Sequence, residues 1–570
     1  MIATYAAALA VGVASLVLGQ AALALSGARR WSWLAPAVGL ALVCAISWAT
    51  VRIGENGVFP AVLIPLLTVV AAIFLRGRVE GGGEALRVGA PVAIGALLAA
   101  SLPFAVEGHF GILGTGFNPD MSQHLLATDR LAEGHGSQLL NQGYPLGPHA
   151  VVVALNEGLG IGIVQGFGGV TMAAAIVAAL TALAAFADGP RRLGAAAALV
   201  VGLAYLVASY YAQGDFKEVI EAIFVLAFVL ALRESARSWR DLPLRFVPAA
   251  LIAIGAVYAY SFPGLIWLAA ILLVWLALER MLPVRPLLLA LVVFLVGTLP
   301  ELGRMIDFKQ FETFDPNGPG LGNLFGQVSP FTALGIWPSG DFRVAAGDGA
   351  VPALVYYLGA AFASALLVLG VRRAWRSGER AILAGLAAVI GLYLASRLGG
   401  TPYTSAKALE IAAPVLALTI LVPLTRGRPR VVLGGYLAAA GLCSLLALAN
   451  APVGPTTYSP ALTSLRPLLA GGSTLVLAPD ELLAEEQGRR YIAWELRGGR
   501  VCIEPASAAG GRPPTGVRYF VTIGSPSRPP FSQLRRLRLA SPYVVWERQG
   551  VVGGPSPCPL IAVRQARQGP

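Results

Sequence analysis

The chain has 570 residues, 56% of them hydrophobic and 13% charged, with a mean hydropathy of +0.70. Globular domains carry roughly 25% charge, and disorder needs low hydrophobicity, so a soluble enzyme and an unfolded chain are both excluded. The net charge of +12 contains no basic run interleaved with aromatics, so nucleic acid is not a partner; a polytopic α-helical membrane protein remains.

Residues 2–26 are apolar and end in small residues, but Arg29 and Arg30 follow them and no basic segment precedes them. That charge order reverses a cleavable signal peptide and predicts a first transmembrane helix with its N-terminus outside. Thirteen further apolar runs follow, at 32–53, 60–76, 87–106, 163–187, 193–211, 218–233, 246–260, 262–279, 286–302, 351–371, 380–396, 408–425 and 430–449. About fourteen transmembrane helices are therefore expected, with Ser261-Phe262-Pro263 as a tight hairpin between two of them. With the N-terminus outside, the inner loops carry twenty Arg, and the outer loops up to residue 449 carry eight basic residues. This is the positive-inside pattern of a multi-pass plasma-membrane protein.

Two outer loops are long, 107–162 and 303–350, and the second is rich in Gly and Pro. Long irregular loops in compact proteins are usually functional or disordered. The tail, 451–570, is Arg-rich, with strand-like runs at Ser473–Ala478, Val517–Ile523 and Tyr543–Trp546 around the helix-like 479–496. It reads as a small extracytoplasmic α/β domain in which Cys502 and Cys558 could pair, while Cys44 and Cys443 lie in apolar stretches. The expected organisation is three additional helices (1–86), a transmembrane core (87–450) and the α/β domain (451–570).

All four histidines, His109, His124, His135 and His149, fall within 41 residues of the first outer loop. Asn118-Pro119-Asp120 reads as a helix start, with Asn118 as N-cap and Pro119 first in the helix. Asp120 and His124, four apart, then share a face, whereas Asp129 falls opposite and reads as solvated. Residues 147–157 read as a helix lying at the membrane surface, preceded by Tyr144. His and Asp suit a divalent cation, but the histidine spacings match no compact ligand motif, so metal use stays open.

The only lysines are Lys217, Lys309 and Lys407, all in outer segments. Lys217 could pair with Glu221, four residues on, as a structural contact. Charges at a membrane edge often line a substrate path, and Lys217, Arg304, Arg397 and Lys407 could together hold a phosphate. No P-loop, GxGxxG, GxSxG or HExxH motif is present, which leaves an ATP-driven pump unsupported.

The acidic residue near the start of a long first outer loop, the Tyr144-Pro145-Leu146-Gly147-Pro148-His149 segment, the Gly/Pro-rich second loop and the polar tail resemble the GT-C superfamily of polyprenyl-phosphate-dependent membrane glycosyltransferases, in particular its bacterial polytopic members. The resemblance implies an inverting transfer of a sugar from a polyprenyl-phosphate donor to a cell-envelope glycan or protein acceptor outside the cytoplasm. Asp120 would be the general base, with His124 orienting it or sharing its proton. Lys217, Arg304, Arg397 and Lys407 would hold the donor phosphate. Tyr144 and His149 would support the acceptor or the loop, and the 303–350 loop would close over the donor. Pro119 stands where many members carry a second adjacent carboxylate. A transporter or flippase of lipid-linked sugars is the alternative, although no internal repeat supports one. A scaffold for envelope assembly is a third.

Overall fold

The computed structural model describes the chain except for residues 56, 116, 119, 135–137, 188, 280–282, 309–319, 427–429, 455–459, 481–482, 484–485, 525–527 and 562–570. His135, Lys309 and Pro119 therefore lie outside the described residues.

Four helices open the chain, α1 (Ile2–Leu25), α2 (Ala35–Val51), α3 (Val58–Leu75) and α4 (Gly82–Glu107). The first long loop carries α5 (Met121–Ala132), α6 (Gln138–Asn141) and α7 (Gly147–Leu159). Then come α8 (Ile163–Ala182), α9 (Arg191–Gly202), α10 (Tyr205–Ala212), α11 (Phe216–Ala236), α12 (Val247–Tyr260), α13 (Phe262–Glu279), α14 (Val284–Thr298) and α15 (Leu302–Phe308). The last four helices of the bundle are α16 (Ala353–Arg376), α17 (Arg380–Gly399), α18 (Pro402–Thr425) and α19 (Arg430–Ala449).

Among the described residues ten helices are long and apolar enough to cross a membrane, and α9 with α10, bent by 51°, makes an eleventh. Length and composition thus stop short of the expected fourteen. Two of the missing spans, α2 and α12, are shorter apolar helices. The third, α11, is long enough but carries Lys217, Glu218, Glu221, Arg233 and Glu234. The chain is a multi-pass helical membrane protein, and its surface says why. Helices α3, α14 and α16 turn Val62, Leu66, Leu288, Val296 and Leu358 outward, and only lipid tolerates such a belt as solvent. Helices α8, α11 and α18 are buried on nearly every side and form the centre. Helix α1 packs on α2 and α8, and α2 packs on α12, so the first helices are built into this core.

Helix α7 does not lie at a surface. Gly147 through Leu155 are all buried, against α2, α3 and α8. The run Gly-Pro-His-Ala-Val-Val-Val-Ala-Leu has no polar stripe to present to water, so the helix sinks into the bundle.

The C-terminal segment forms a five-stranded mixed sheet of β3 (Ser473–Ala478), β4 (Arg500–Pro505), β5 (Tyr519–Ile523), β6 (Leu534–Ala540) and β7 (Tyr543–Arg548), in the order β4-β3-β5-β7-β6. Strands β4, β3 and β5 are parallel, and β3 is buried along its whole length, as a central parallel strand should be. The runs expected at β3, β5 and β7 are strands, whereas β4 and β6 went unread, β6 because three Arg interrupt it and β4 because Arg500, Glu504 and Pro505 leave only a short apolar run. Cys502 on β4 is bonded to Cys558 across a separation of 56 residues. Loop-closure entropy for that span is worth about 4 kcal/mol. Cys502→Ser/Cys558→Ser is therefore expected to lower the unfolding transition of this unit clearly in a thermal scan. An unchanged transition would show that the bond is absent.

The sheet is tied to the bundle by two short strands. Ahead of α5, β1 (Ile112–Leu113) pairs antiparallel with β2 (Val453–Gly454), which follows α19. In addition, the helix Glu486–Glu495 packs on α5.

Candidate active site

Asp215 begins α11 and is reached by a tight turn from α10. The turn depends on two glycines with positive φ, Gly114 (+80°) and Gly214 (+75°). A side chain on either would collide with backbone, Gly114 with Gln213 and Gly214 with Leu113. The backbone of the first loop therefore lies directly on the start of α11, and Asn118 Nδ2 donates to Asp215 Oδ1.

Helix α5 starts later than the sequence suggested. Asn118 is not its N-cap, because the helix begins at Met121, and the Asn118 Oδ1 that accepts from the Asp120 amide at 3.0 Å closes the turn ahead of it. Asp120 takes the N-cap position, already in the right-handed helical region, and still shares a face with His124. The side-chain amide of Gln123 donates to Asp120 Oδ1 at 3.0 Å, and its oxygen accepts from Arg490 Nη1 at 2.6 Å. Arg490 belongs to the helix Glu486–Glu495, so the C-terminal unit reaches Asp120 through one intervening residue. Neither Gln123 nor Arg490 carried a sequence signal, since the contact spans 367 positions.

Asp120, His124, Tyr144, Lys217 and Lys407 line one cavity of about 210 Å³, together with Asp215, Glu218, Tyr260, Trp267 and Tyr403 among others. Its walls come from α5, the turn before α7, the first residues of α11, the α12–α13 corner and the start of α18. At that corner Ser261 holds φ +63° and ψ −155°, a region nearly restricted to glycine. Such a backbone costs of order 1–3 kcal/mol and is kept where the surroundings over-determine it, often at functional sites.

The two lysines differ. Lys407 Nζ donates to Glu218 Oε1 at 2.8 Å and lies 4.4 Å from the Tyr403 ring centre. Lys217, only 9% exposed, makes neither an ion pair nor a hydrogen bond among the described residues. It sits 4.0 Å over the Tyr144 ring and 5.8 Å from that of Tyr260, a cation–π cradle. The contact expected with Glu221 is not formed, because that carboxylate is turned instead against Gly264 at the start of α13. Burial, with Glu218 and Asp120 nearby, pushes Asp215 well above the ordinary carboxylate range. With Lys407 matched to Glu218, Lys217 is the lysine that faces the cavity without an ion partner among the described residues, across from Asp120.

His124 and His149 share a hydrogen bond, Nδ1 of the first to Nε2 of the second at 3.1 Å. Phe167, Phe216 and Tyr144 surround His149. Burial holds His149 down at about 3 and pushes His124 well below its usual range, helped by His149 and Lys217. Both rings are neutral, so each has one donor and one acceptor. His149 Nδ1 has no partner among the described residues. A buried lone pair is tolerated better than a buried orphan N–H. His149 Nε2–H therefore donates to His124 Nδ1, which leaves Nε2–H of His124 as the atom it can offer the cavity. In that tautomer His124 is a hydrogen-bond donor to a ligand and cannot be a base.

Arg304, Arg397 and His149 do not line the cavity. Arg304 is spent on Glu301 (3.3 Å) and on the carbonyl oxygens of Leu140 (2.9 Å) and Tyr144 (2.7 Å), which fixes the turn before α7. Arg397 is exposed at the end of α17. The expected cluster of four cations is thus two, because the second pair is held by local partners or by solvent. His109 is exposed, with Nδ1 on the carbonyl oxygen of Glu107 at 3.0 Å. In the described part of the second long loop, Asn323 donates to Phe117 O (3.1 Å) and Gln213 Oε1 (2.8 Å), beside the first loop. Among the described residues no group of three or more His, Cys, Asp or Glu could hold a metal ion.

Asp129 is buried, not solvated. Its Oδ1 faces Arg497 of the C-terminal unit at 4.0 Å, and its Oδ2 has no hydrogen-bond partner among the described residues. Packing of the tail against α5 covers the face that an isolated loop would have left in water. Burial, reinforced by Glu133 and opposed by Arg497, pushes its carboxyl from 3.8 up to about 7. Between those values the unfolded chain loses the proton while the folded one keeps it. Stability then falls as pH rises, by up to about 1.4 kcal/mol per unit, and levels off above neutrality. Asp129→Asn is expected to flatten that slope in thermal unfolding scans across pH 4–8. A wild-type slope kept intact in the variant would refute the assignment.

Compared with models of protein families and with curated proteins, the chain matches none.

Proposed function

We propose that the protein is an inverting membrane glycosyltransferase that moves a sugar from a polyprenyl-phosphate donor to a cell-envelope acceptor outside the cytoplasm. The observation that carries this reading is the single cavity in which a carboxylate, Asp120, faces an unpaired buried cation, Lys217. A volume of about 210 Å³ is below the roughly 300–1,000 Å³ of drug-sized sites and suits one sugar-sized group. In this reading Asp120 takes the proton of the acceptor hydroxyl as its oxygen attacks the anomeric carbon. The bond from that carbon to the donor phosphate oxygen breaks, and polyprenyl phosphate leaves with the electron pair. Lys217 meets the charge that develops on the phosphate, and His124 Nε2–H donates to a sugar or phosphate oxygen.

The inner-loop Arg excess supports a plasma-membrane topology with both the N-terminus and the C-terminal α/β domain outside. The Cys502–Cys558 bond supports an oxidising compartment for that domain. A second reading, a transporter or flippase of lipid-linked sugars, is favoured by Glu221 and Glu410. Both are fully buried inside α11 and α18, and neither carboxylate has a hydrogen-bond partner among the described residues. Proteoliposomes loaded with labelled polyprenyl-phosphate sugar and an outside acceptor distinguish the two. Covalent labelled product is the expected result. Labelled lipid that changes leaflet without product formation would replace the transferase with the transporter.

A further inference from the structure

The end of the bundle opposite the cavity holds a second built site. Helix α11 runs from Lys217 at the cavity to Arg233, about 24 Å away at 1.5 Å per residue. There a pocket of about 590 Å³ is lined by five arginines, Arg233, Arg237, Arg240, Arg245 and Arg380. One of them is neutralised outright, since Arg380 meets Glu279 at 2.9 Å. Glu379, 1% exposed, must serve three guanidinium groups, Arg233 (2.8 Å), Arg237 (3.0 Å) and Arg426 (2.7 Å). Glu234 also meets Arg233 at 3.7 Å and the exposed Asp241 stands at the rim, so three acidic groups face Arg233, Arg237, Arg240, Arg245 and Arg426, and positive charge is left over.

Two further features say what would answer that charge. Trp275 lines the pocket at 2% exposure, and its Nε1–H has no hydrogen-bond partner among the described residues. Its ring meets Phe246 edge-on, and Phe246 lines both this pocket and a neighbouring groove of about 380 Å³. That groove lies between α11, α12, α13 and α14 and is lined only by Phe, Leu and Ala side chains. A basic pocket with a spare N–H donor thus opens beside a hydrocarbon groove.

We propose that this end of the bundle is a binding site for an anionic diacyl phospholipid. Its phosphate would be received by Arg237, Arg240 and Arg245 with the Trp275 N–H, and one acyl chain would fill the groove. Guanidinium forks match phosphate oxygens, and basic pockets between transmembrane helices take acidic headgroups. A zwitterionic lipid would bring its own cation against the surplus charge, so charge complementarity selects the anionic class. The proposal is independent of the chemistry at the cavity.

The test uses the full-length protein in detergent, with phosphatidylglycerol, phosphatidylcholine and inorganic phosphate as probes. Native mass spectrometry is expected to show one phosphatidylglycerol retained, with a preference over phosphatidylcholine on the order of a hundredfold, as roughly 1 kcal/mol for each of the three arginines implies. Arg237→Gln/Arg240→Gln should lose the preference. Trp275→Phe keeps an aromatic ring and removes the donor with the five-membered half of the indole, so it should weaken retention by more than the drop in the lipid-free protein's melting temperature accounts for. Equal retention of both lipids by the wild type, or an undiminished preference in both variants, would overturn the proposal. Stabilisation by inorganic phosphate equal to that by phosphatidylglycerol would overturn it in favour of a free-anion site.

Discussion

Asp120→Asn is expected to lower the rate of sugar transfer by about 10²–10⁴-fold, the usual contribution of a positioned general base. The thermal transition should hardly move. Asp120 sits at the N-cap position without a side-chain capping bond, so amide for carboxylate removes no helix cap. Arg490→Gln and Gln123→Ala test the same group from a distance. Gln123 holds Asp120 at 3.0 Å and is itself held by Arg490 at 2.6 Å, so the variants should lower kcat by about tenfold, the worth of a hydrogen bond to a charged group, with KM little changed. Arg490→Lys should recover part of that loss, because it keeps a cationic donor at the same place. Full transfer activity in a folded Asp120→Asn would sink the assignment of the base, whatever the positioning variants did.

Lys217→Met and Lys407→Met are expected to move stability in opposite directions. Lys407 is one half of a buried pair whose partner Glu218 has a side chain only 3% exposed. Removing one member of such a pair leaves the other charge uncompensated, at a cost of about 3–5 kcal/mol. Lys407→Met should therefore melt markedly earlier, and Lys407→Met/Glu218→Met should recover most of the loss. Among the described residues Lys217 has no ion partner and sits over the rings of Tyr144 and Tyr260. Replacing it with an apolar side chain of similar length relieves a desolvated charge and should raise the melting temperature. The same change should raise KM for the lipid-phosphate donor by well over tenfold, since a charge-assisted contact is worth about 1.5–3 kcal/mol. A group that destabilises the fold while it serves the ligand is a common signature of function. If Lys217→Met lost stability as Lys407→Met does, Lys217 would be a structural residue.

The legible part of the site was composition-driven. Charge is scarce in this chain, so each polar residue in an outer segment stood out, and Asp120, His124, Tyr144, Lys217 and Lys407 do line one cavity. The same reasoning put Arg304 and Arg397 there, and it failed because scarcity does not say which partner a cation takes. Glu301 and two carbonyl groups claim Arg304 before any ligand can. Asp215 and Glu218 were readable in the same short segment as Lys217, but nothing local ranks one buried carboxylate above another. Asp129 was misread for a related reason. Helical spacing fixes which face a residue occupies, and it cannot reveal that the tail, over 350 positions later, covers that face.

By itself the sequence determined the class of the protein. Apolar runs long enough for a bilayer, and Arg gathered in alternate loops, are local properties set by transfer free energy and membrane-edge charge. It also determined where the helices lie, since each expected run is helical, though some are shorter or broken. Only the tertiary structure decided which charges are spent and which remain. Pairing depends on distances between residues far apart in the chain, such as Arg490 to Gln123 or Lys407 to Glu218. In a poorly solvated interior that pairing sets whether a charge is neutralised, loses its ionisation or is left for a ligand.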